Sequence, residues 1–209
     1  VNTKTCLIAT FFLSSFVWSY ASNDPAKTGV QFSLEGSSSG LWKTESVTTN
    51  NTTLYEVKQG RGLAVGSYLS FEYALTRNIT IGIKTGYFHV FDIGEIKTPE
   101  NNTTISTDNI PLLISGKYHF NSKWFIGGEA GIDYQKLSSY SSNDNYHDKG
   151  NWNIAFMSGI LGGYQWDNLS LSTSFDFTSG KNLTDDKFTK KSTLENIKIG
   201  LQLSYTIPI

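Results

Sequence analysis

Ile197-Lys198-Ile199-Gly200-Leu201-Gln202-Leu203-Ser204-Tyr205-Thr206-Ile207-Pro208-Ile209 alternates without a break. Every odd position is a large apolar or aromatic residue, and every even one is charged, polar, small or proline. A period of two sends successive side chains to opposite faces of a strand. The stretch therefore predicts a strand with one oily face and one wet face.

The same alternation recurs on working back through the chain. Leu169, Leu171, Thr173, Phe175 and Phe177 oppose Ser170, Ser172, Ser174 and Asp176, and a tight Asp167-Asn168 turn precedes them. Before that turn come Trp152, Ile154, Phe156, Ile160, Tyr164 and Trp166. Trp124, Ile126, Ala130, Ile132 and Tyr134 face away from Gly127, Glu129, Gly131 and Asp133. Asn121-Ser122-Lys123 links this strand to Ile110, Leu112, Ile114, Tyr118 and Phe120, which oppose Ser115, Lys117 and His119. Ile79, Ile81, Ile83, Thr85 and Tyr87 follow a short link at Leu75–Asn78. Leu63, Val65, Leu69, Phe71 and Tyr73 come before that link, and Gly29–Trp42 supplies the first strand. Polar stretches at Lys43–Gln59, Asp92–Asn109, Gln135–Gly150 and Thr178–Thr193 read as long loops. Eight strands joined alternately by long and short connections predict an all-β, antiparallel, up-and-down barrel.

The remaining bounds agree with that fold. Lys4, the largely apolar Leu7–Trp18 and Ser19-Tyr20-Ala21 match a secretory signal cleaved after Ala21. Residues 1–21 are thus expected to be a signal peptide, and 22–209 one barrel domain. Cys6 is the chain's one cysteine and falls inside the signal, so thiol chemistry and disulfides are not expected in the mature protein. A net charge of −1 argues against a nucleic-acid partner. No stretch after residue 22 approaches the roughly 18 consecutive apolar residues of a membrane helix, so a membrane-spanning form must be a barrel.

The pattern, including Ile110-Pro111-Leu112-Leu113-Ile114-Ser115-Gly116-Lys117-Tyr118-His119-Phe120 and Gly127-Gly128-Glu129-Ala130-Gly131, resembles the small eight-stranded outer-membrane barrels. These are the OmpA membrane domain, OmpX and the opacity-type surface proteins. The C-terminal alternation is similar to the last strand of such proteins, with Ile209 where an aromatic residue is usual. The resemblance implies a Gram-negative outer-membrane location and periplasmic N- and C-termini. It also implies passage through periplasmic chaperones and the barrel-assembly machinery, contact with outer-membrane lipid and lipopolysaccharide, and a monomer.

A soluble lipocalin-like barrel would turn the same alternation inside out, with apolar residues around a ligand. Two features favour the membrane form. Aromatic residues gather in two belts: Phe71, Tyr73, Tyr118, Phe120, Trp124, Tyr164, Trp166 and Tyr205 toward the short turns, and Trp42, Tyr87, Tyr134, Trp152 and Phe177 toward the long loops. The apolar faces between the belts carry no Lys, Arg, Asp or Glu.

The opposite faces then line the interior, bringing in Glu35, Glu72, Lys84, Lys117, Glu129, Asp133, Asp176 and Lys198. Neighbouring strands suggest pairs of Glu72 with Lys84 and of Lys117 with Glu129. A charge-paired plug is the structural alternative to an ion pathway, because an eight-stranded barrel is just wide enough to be filled by its side chains.

Catalysis is not expected. His119 points inward near a short turn, His89 lies near the far end of its strand and His147 sits in a polar loop. None is followed by the His-x-Ser pairing of the lipid A deacylases. His147 with Asp144 and Asp148 makes a weak metal set, and no cofactor motif is present. The loops are rich in Ser, Thr and Asn, the setting in which rigid scaffolds place binding. Lys187, Lys190 and Lys191 are candidates for lipopolysaccharide phosphates. The expectation is a structural or surface-interaction protein that meets a host or surface ligand through four long loops. A narrow channel and a lipid A-modifying enzyme are the alternatives.

Overall fold

The computed structural model describes residues 26–41, 46–49, 52–59, 61–97, 102–141, 147–181 and 193–209. The expected signal segment, Trp42 and Lys187, Lys190 and Lys191 lie outside the described residues. Among the described residues ten strands appear: β1 (Gly29–Leu41), β2 (Ser46–Thr49), β3 (Thr52–Gln59), β4 (Arg61–Ala74), β5 (Ile79–Lys97), β6 (Asn102–His119), β7 (Trp124–Ser141), β8 (His147–Trp166), β9 (Leu169–Lys181) and β10 (Thr193–Pro208).

Eight of them close on themselves in the order β5-β4-β1-β10-β9-β8-β7-β6, and β6 pairs back onto β5. All neighbours are antiparallel, including the seam between the first and last strands, which runs from Gly29↔Pro208 to Leu41↔Asn196. The structure is therefore an all-β, eight-stranded closed barrel. Closure leaves the wall without the unpaired edge that an open sheet exposes.

The short links are built locally. Asn121 Oδ1 accepts hydrogen bonds from the backbone N–H groups of Lys123 (2.8 Å) and Trp124 (2.9 Å), the usual turn device of an Asn side chain. Asp167 adopts a φ of 49°, a left-handed conformation that Asp tolerates better than most residues.

The wall is oily outside. Ile79, Ile81, Leu112 and Leu201, all on the apolar faces, are 39%, 44%, 47% and 53% exposed. Buried inside are Gln31, Ser70, Glu72, Lys84, Ser115, Glu129, Ser172, Asp176 and Lys198. Inside-out packing of this kind is stable only where the outer medium is apolar. Along β6, the ten steps from Phe120 to Ile110 cover about 24 Å of membrane at a tilt near 45°, close to the apolar band of outer-membrane barrels.

Three of the four expected long loops are largely strand instead, and residues 182–192 of the fourth lie outside the described residues. β5 runs on to Lys97, β6 starts at Asn102, β7 reaches Ser141 and β8 starts at His147. The expected loop at 43–59 contains β2 and β3, and β3 pairs with the upper end of β5 from Glu56↔Lys97 to Gln59↔Gly94. In these parts the inward positions include the polar Thr107, Asn109 and Gln135 beside the apolar Ile93 and Ile105, so the apolar–polar alternation that marks a strand in the sequence is lost.

Candidate functional site

The interior is filled in layers, starting at the short-turn end. Residues 26–28 pass under the opening: Ala26 N–H donates to the Arg77 carbonyl (3.2 Å), and the Thr28 carbonyl accepts from Ile209 N–H (3.0 Å). Lys27 reaches the turn between β8 and β9, donating to the Asp167 carbonyl (2.8 Å) and to Asn168 Oδ1 (2.9 Å). Burial holds the Lys27 ammonium below its ordinary value, while Asp167 pulls the other way. Above this strap, His119 packs on Phe125 with ring centroids 5.7 Å apart.

The charged layer follows. Lys117 pairs with Glu72 and also donates to Gln31 Oε1 (3.2 Å). Lys84 pairs with Glu129 at 3.0 Å and donates to Gln202 Oε1 at 3.3 Å. These partners correct the expected pairs of Glu72 with Lys84 and of Lys117 with Glu129. Each real pair skips a strand, Lys84 on β5 meeting Glu129 on β7 and Glu72 on β4 meeting Lys117 on β6. Strand tilt puts residues two strands apart at one level, and the intervening position must be small. Gly82 is that position for Glu72, since a Cβ there would lie 3.2 Å from both Glu72 Cγ and Ser115 Oγ.

Lys198 is the hub of the next layer. Its Nζ is 2.7 Å from Glu35 Oε1 and 3.2 Å from Asp176 Oδ2, and it donates to the Tyr68 hydroxyl at 3.0 Å. Ser174 also donates to Asp176 Oδ2 (3.0 Å). The other oxygen, Oδ1, lies against Gly159, where any Cβ would overlap it. The Tyr68 and Phe88 rings close the layer, with Lys84 Nζ 4.2 Å from the Tyr68 centroid and Lys198 Nζ 4.5 Å from that of Phe88. Asp133 is fully buried nearby and accepts a hydrogen bond from Gln135 Nε2 at 3.0 Å.

Beyond the Tyr68–Phe88 layer an apolar cluster stands beside the buried polar Thr107, Asn109 and Gln135. Ala64, Tyr68, Phe88, Val90, Ile93 and Ile105 form one buried cluster, with Leu137 packed against it. Alternation alone would turn Ile93 outward with Phe91. Asp92 takes a φ of 52°, and residues 91–93 bulge opposite β6, which turns Ile93 into the lumen. In the charged half, the void lined by Gln31, Glu72, Lys84, Lys117, Glu129 and their neighbours has a volume of about 10 Å³, on the scale of a single water.

The expected girdle residues stand on the outer wall where they are described. Tyr73, Tyr118, Trp124 and Trp166 are exposed at the short-turn side, with Tyr164 and Tyr205 partly covered. Trp124 and Tyr164 meet edge to face at 4.9 Å, and the Tyr164 and Trp166 rings are tilted against each other at 4.6 Å. Tyr87, Tyr134 and Trp152 are exposed at the other border.

Sequence reasoning passed over a group on the outer face just above that border. Asp108 Oδ1 accepts from the Tyr87 hydroxyl at 2.5 Å and stands 2.7 Å from His89 Nδ1. His89, Asp108, Lys136 and Trp152 are directly opposed on β5, β6, β7 and β8, forming one cross-strand row. Of the candidate metal set, His147 lies in β8 while Asp144 is outside the described residues.

The class of protein follows from these layers. A closed eight-stranded barrel with an oily outer wall, aromatic borders and a salt-bridged lumen is the small outer-membrane barrel fold. Solved structures of that class share it. Neisserial surface protein A superposes with a TM-score of 0.56 at 9% identity, covering 86% of this chain and 99% of its own. OprG of Pseudomonas aeruginosa gives 0.51 at 9% identity, with 88% and 99% covered. AlkL, solved in lipid bilayers, gives 0.51 at 12% identity, with 94% and 97% covered. No protein-family profile matches the sequence. No curated protein matches it either.

Proposed function

We propose that this protein is a sealed outer-membrane scaffold that acts through surface interaction at its long-strand end, with no catalytic or channel role. The termini lie on the periplasmic side and the long-strand end outside the cell, where it meets a host or surface ligand. The observation that carries this reading is the filled lumen. The Lys84–Glu129, Lys117–Glu72 and Lys198–Glu35 pairs, the Tyr68–Phe88 layer and an apolar cluster fill the lumen among the described residues, and this supports a sealed barrel. Function is then left to the outer surface. There β3, β5, β6, β7 and β8 stand side by side, and the register row Lys58, Glu95, Thr104, Tyr140, His147 runs across all five. A paired sheet presents its residues on a rigid frame, which lowers the ordering cost of binding.

Two measurements on the purified, reconstituted barrel test this. Planar-bilayer recordings should show no stable conductance. Binding to an immobilised panel of glycans and matrix proteins should be lost when 46–59 and 95–106 are replaced by short turns, with the barrel still folded. Steady conductance from the parent protein, or binding indifferent to both replacements, would refute the reading.

A further inference from the structure

The short-turn end of the wall carries charge of one sign. Its last oily residues are Leu75, Ile79, Phe120, Trp124, Trp166 and Leu169, all exposed. Just past them stand two exposed cations, Arg77 in the link between β4 and β5 and Lys123 in the link between β6 and β7. Neither has a carboxylate within ion-pair distance among the described residues. Asp167, between β8 and β9, is the one carboxylate in the three links, and its charge acts on the Lys27 ammonium. Arg77 and Lys123 are therefore left without a counter-charge, at the depth of the lipid headgroups on that side.

Both residues are mounted on fixed backbone. The Arg77 carbonyl accepts from Ala26 N–H (3.2 Å), and the Lys123 carbonyl accepts from Gln165 N–H (2.6 Å). Between them, Asn78 Nδ2 donates to the His119 carbonyl (2.9 Å) and His119 N–H donates to the Asn78 carbonyl (2.7 Å), tying the first link to the end of β6. The two links are separated by β5 and β6, about 10 Å at the spacing of adjacent strands. An arginine and a lysine stem can close on one phosphate across such a gap. The wall above it is made by Ile79, Tyr118 and Phe120, all exposed, with the Tyr118 and Phe120 rings 5.4 Å apart.

We infer that this gap binds the anionic headgroup of phosphatidylglycerol, its phosphate between Arg77 and Lys123 and its glycerol and upper acyl region against Ile79, Tyr118 and Phe120. An anionic headgroup is compensated there, whereas the ammonium of an ethanolamine or choline headgroup meets no free carboxylate. The inference rests on the proposed orientation, in which the short-turn end faces the periplasm and so meets the glycerophospholipid leaflet.

The test is native mass spectrometry of the full folded barrel from micelles doped equally with phosphatidylglycerol and phosphatidylethanolamine, a medium without sides. Each cation should contribute about fivefold, the scale of one Lys or Arg beside an anionic lipid surface, so phosphatidylglycerol should be retained about 25-fold over the ethanolamine lipid. Arg77→Gln and Lys123→Gln should each lower that ratio about fivefold, and the double variant should abolish the preference. Lys136→Gln, at the opposite border, should leave it unchanged. Faster migration of unboiled samples on a denaturing gel certifies that each variant is folded. Equal retention of the two lipids by the parent, or a preference that survives the double substitution, would overturn the inference and leave the proposed function standing. Sidedness is read separately: a membrane-impermeant thiol label should reach Ser122→Cys only after the outer membrane is permeabilised. Labelling of that variant in intact cells would overturn the orientation, and with it the assignment to the inner leaflet.

Discussion

Replacing Lys198 with methionine should be among the most damaging single changes in the lumen. Methionine keeps the length and most of the volume of the lysine stem, so packing is nearly conserved. What disappears is an ammonium, 3% exposed as a residue, that serves Glu35 at 2.7 Å, Asp176 at 3.2 Å and the Tyr68 hydroxyl at 3.0 Å. Removing one partner of a buried pair costs about 3–5 kcal/mol, because the other charge is left uncompensated. The lost bond to Tyr68 adds roughly 1 kcal/mol. The expected loss is therefore about 4–6 kcal/mol. Combining Lys198→Met with Glu35→Gln and Asp176→Asn removes the stranded charges and should recover all but about 1–2 kcal/mol, since neutral replacement of a whole buried group is often tolerated. Urea unfolding in lipid vesicles, followed by the fluorescence of Trp42, Trp124, Trp152 and Trp166, measures both changes. A single substitution costing under about 1 kcal/mol, the level of an exposed pair, would refute the charge-compensation argument. So would a triple variant as unstable as the single one.

Further outcomes follow from other contacts. Gly159→Ala should cost about 1–3 kcal/mol by overpacking, because its Cβ would occupy the position of Asp176 Oδ1; the same urea titration reads it. Ile83→Lys places a charge on a wall position 58% exposed to lipid and should cost about 2–4 kcal/mol, whereas Ile83→Leu should be nearly silent. Lys27 is held below its ordinary value by burial, so the unfolded chain binds more protons there than the folded one at alkaline pH. Stability should rise as pH increases toward the ordinary lysine value of 10.5, and that slope should flatten in Lys27→Met. Replacing both Tyr68 and Phe88 with alanine should be strongly destabilising in the same urea titration yet leave the barrel non-conducting in planar bilayers, because the Lys84–Glu129 and Lys117–Glu72 pairs still fill the other half.

The membrane-embedded half of the fold was legible because lipid imposes a rule on every second residue. Ile79 through Tyr87 and Leu201 through Ile207 obey it, and each strand could be placed from such runs. The rule lapses above the oily band, which is why Asn102–Asp108 read as loop although Thr103, Thr104, Ile105, Thr107 and Asp108 are paired on both sides. Register was lost at Asp92, whose bulge turned Ile93 inward; no composition signal marks such an insertion. The interior charges could be placed on a face, but their partners could not, because strand tilt pairs residues across a skipped strand. Asp108 and His89 were hidden for another reason. They belong to the outer face but lie one row past its apolar run, where a sequence shows only the start of a polar segment.

The claim beneath all of this is that the oily face looks outward and the charged face looks into the lumen. Nitroxide labels at single introduced cysteines test it directly in bilayers. Labels replacing Ile83, Ile114 and Leu201 should be strongly relaxed by membrane-dissolved oxygen, while labels replacing Ser172 and Ser204 should be protected from it. Protection at 83, 114 and 201 together with oxygen access at 172 and 204 would contradict the account.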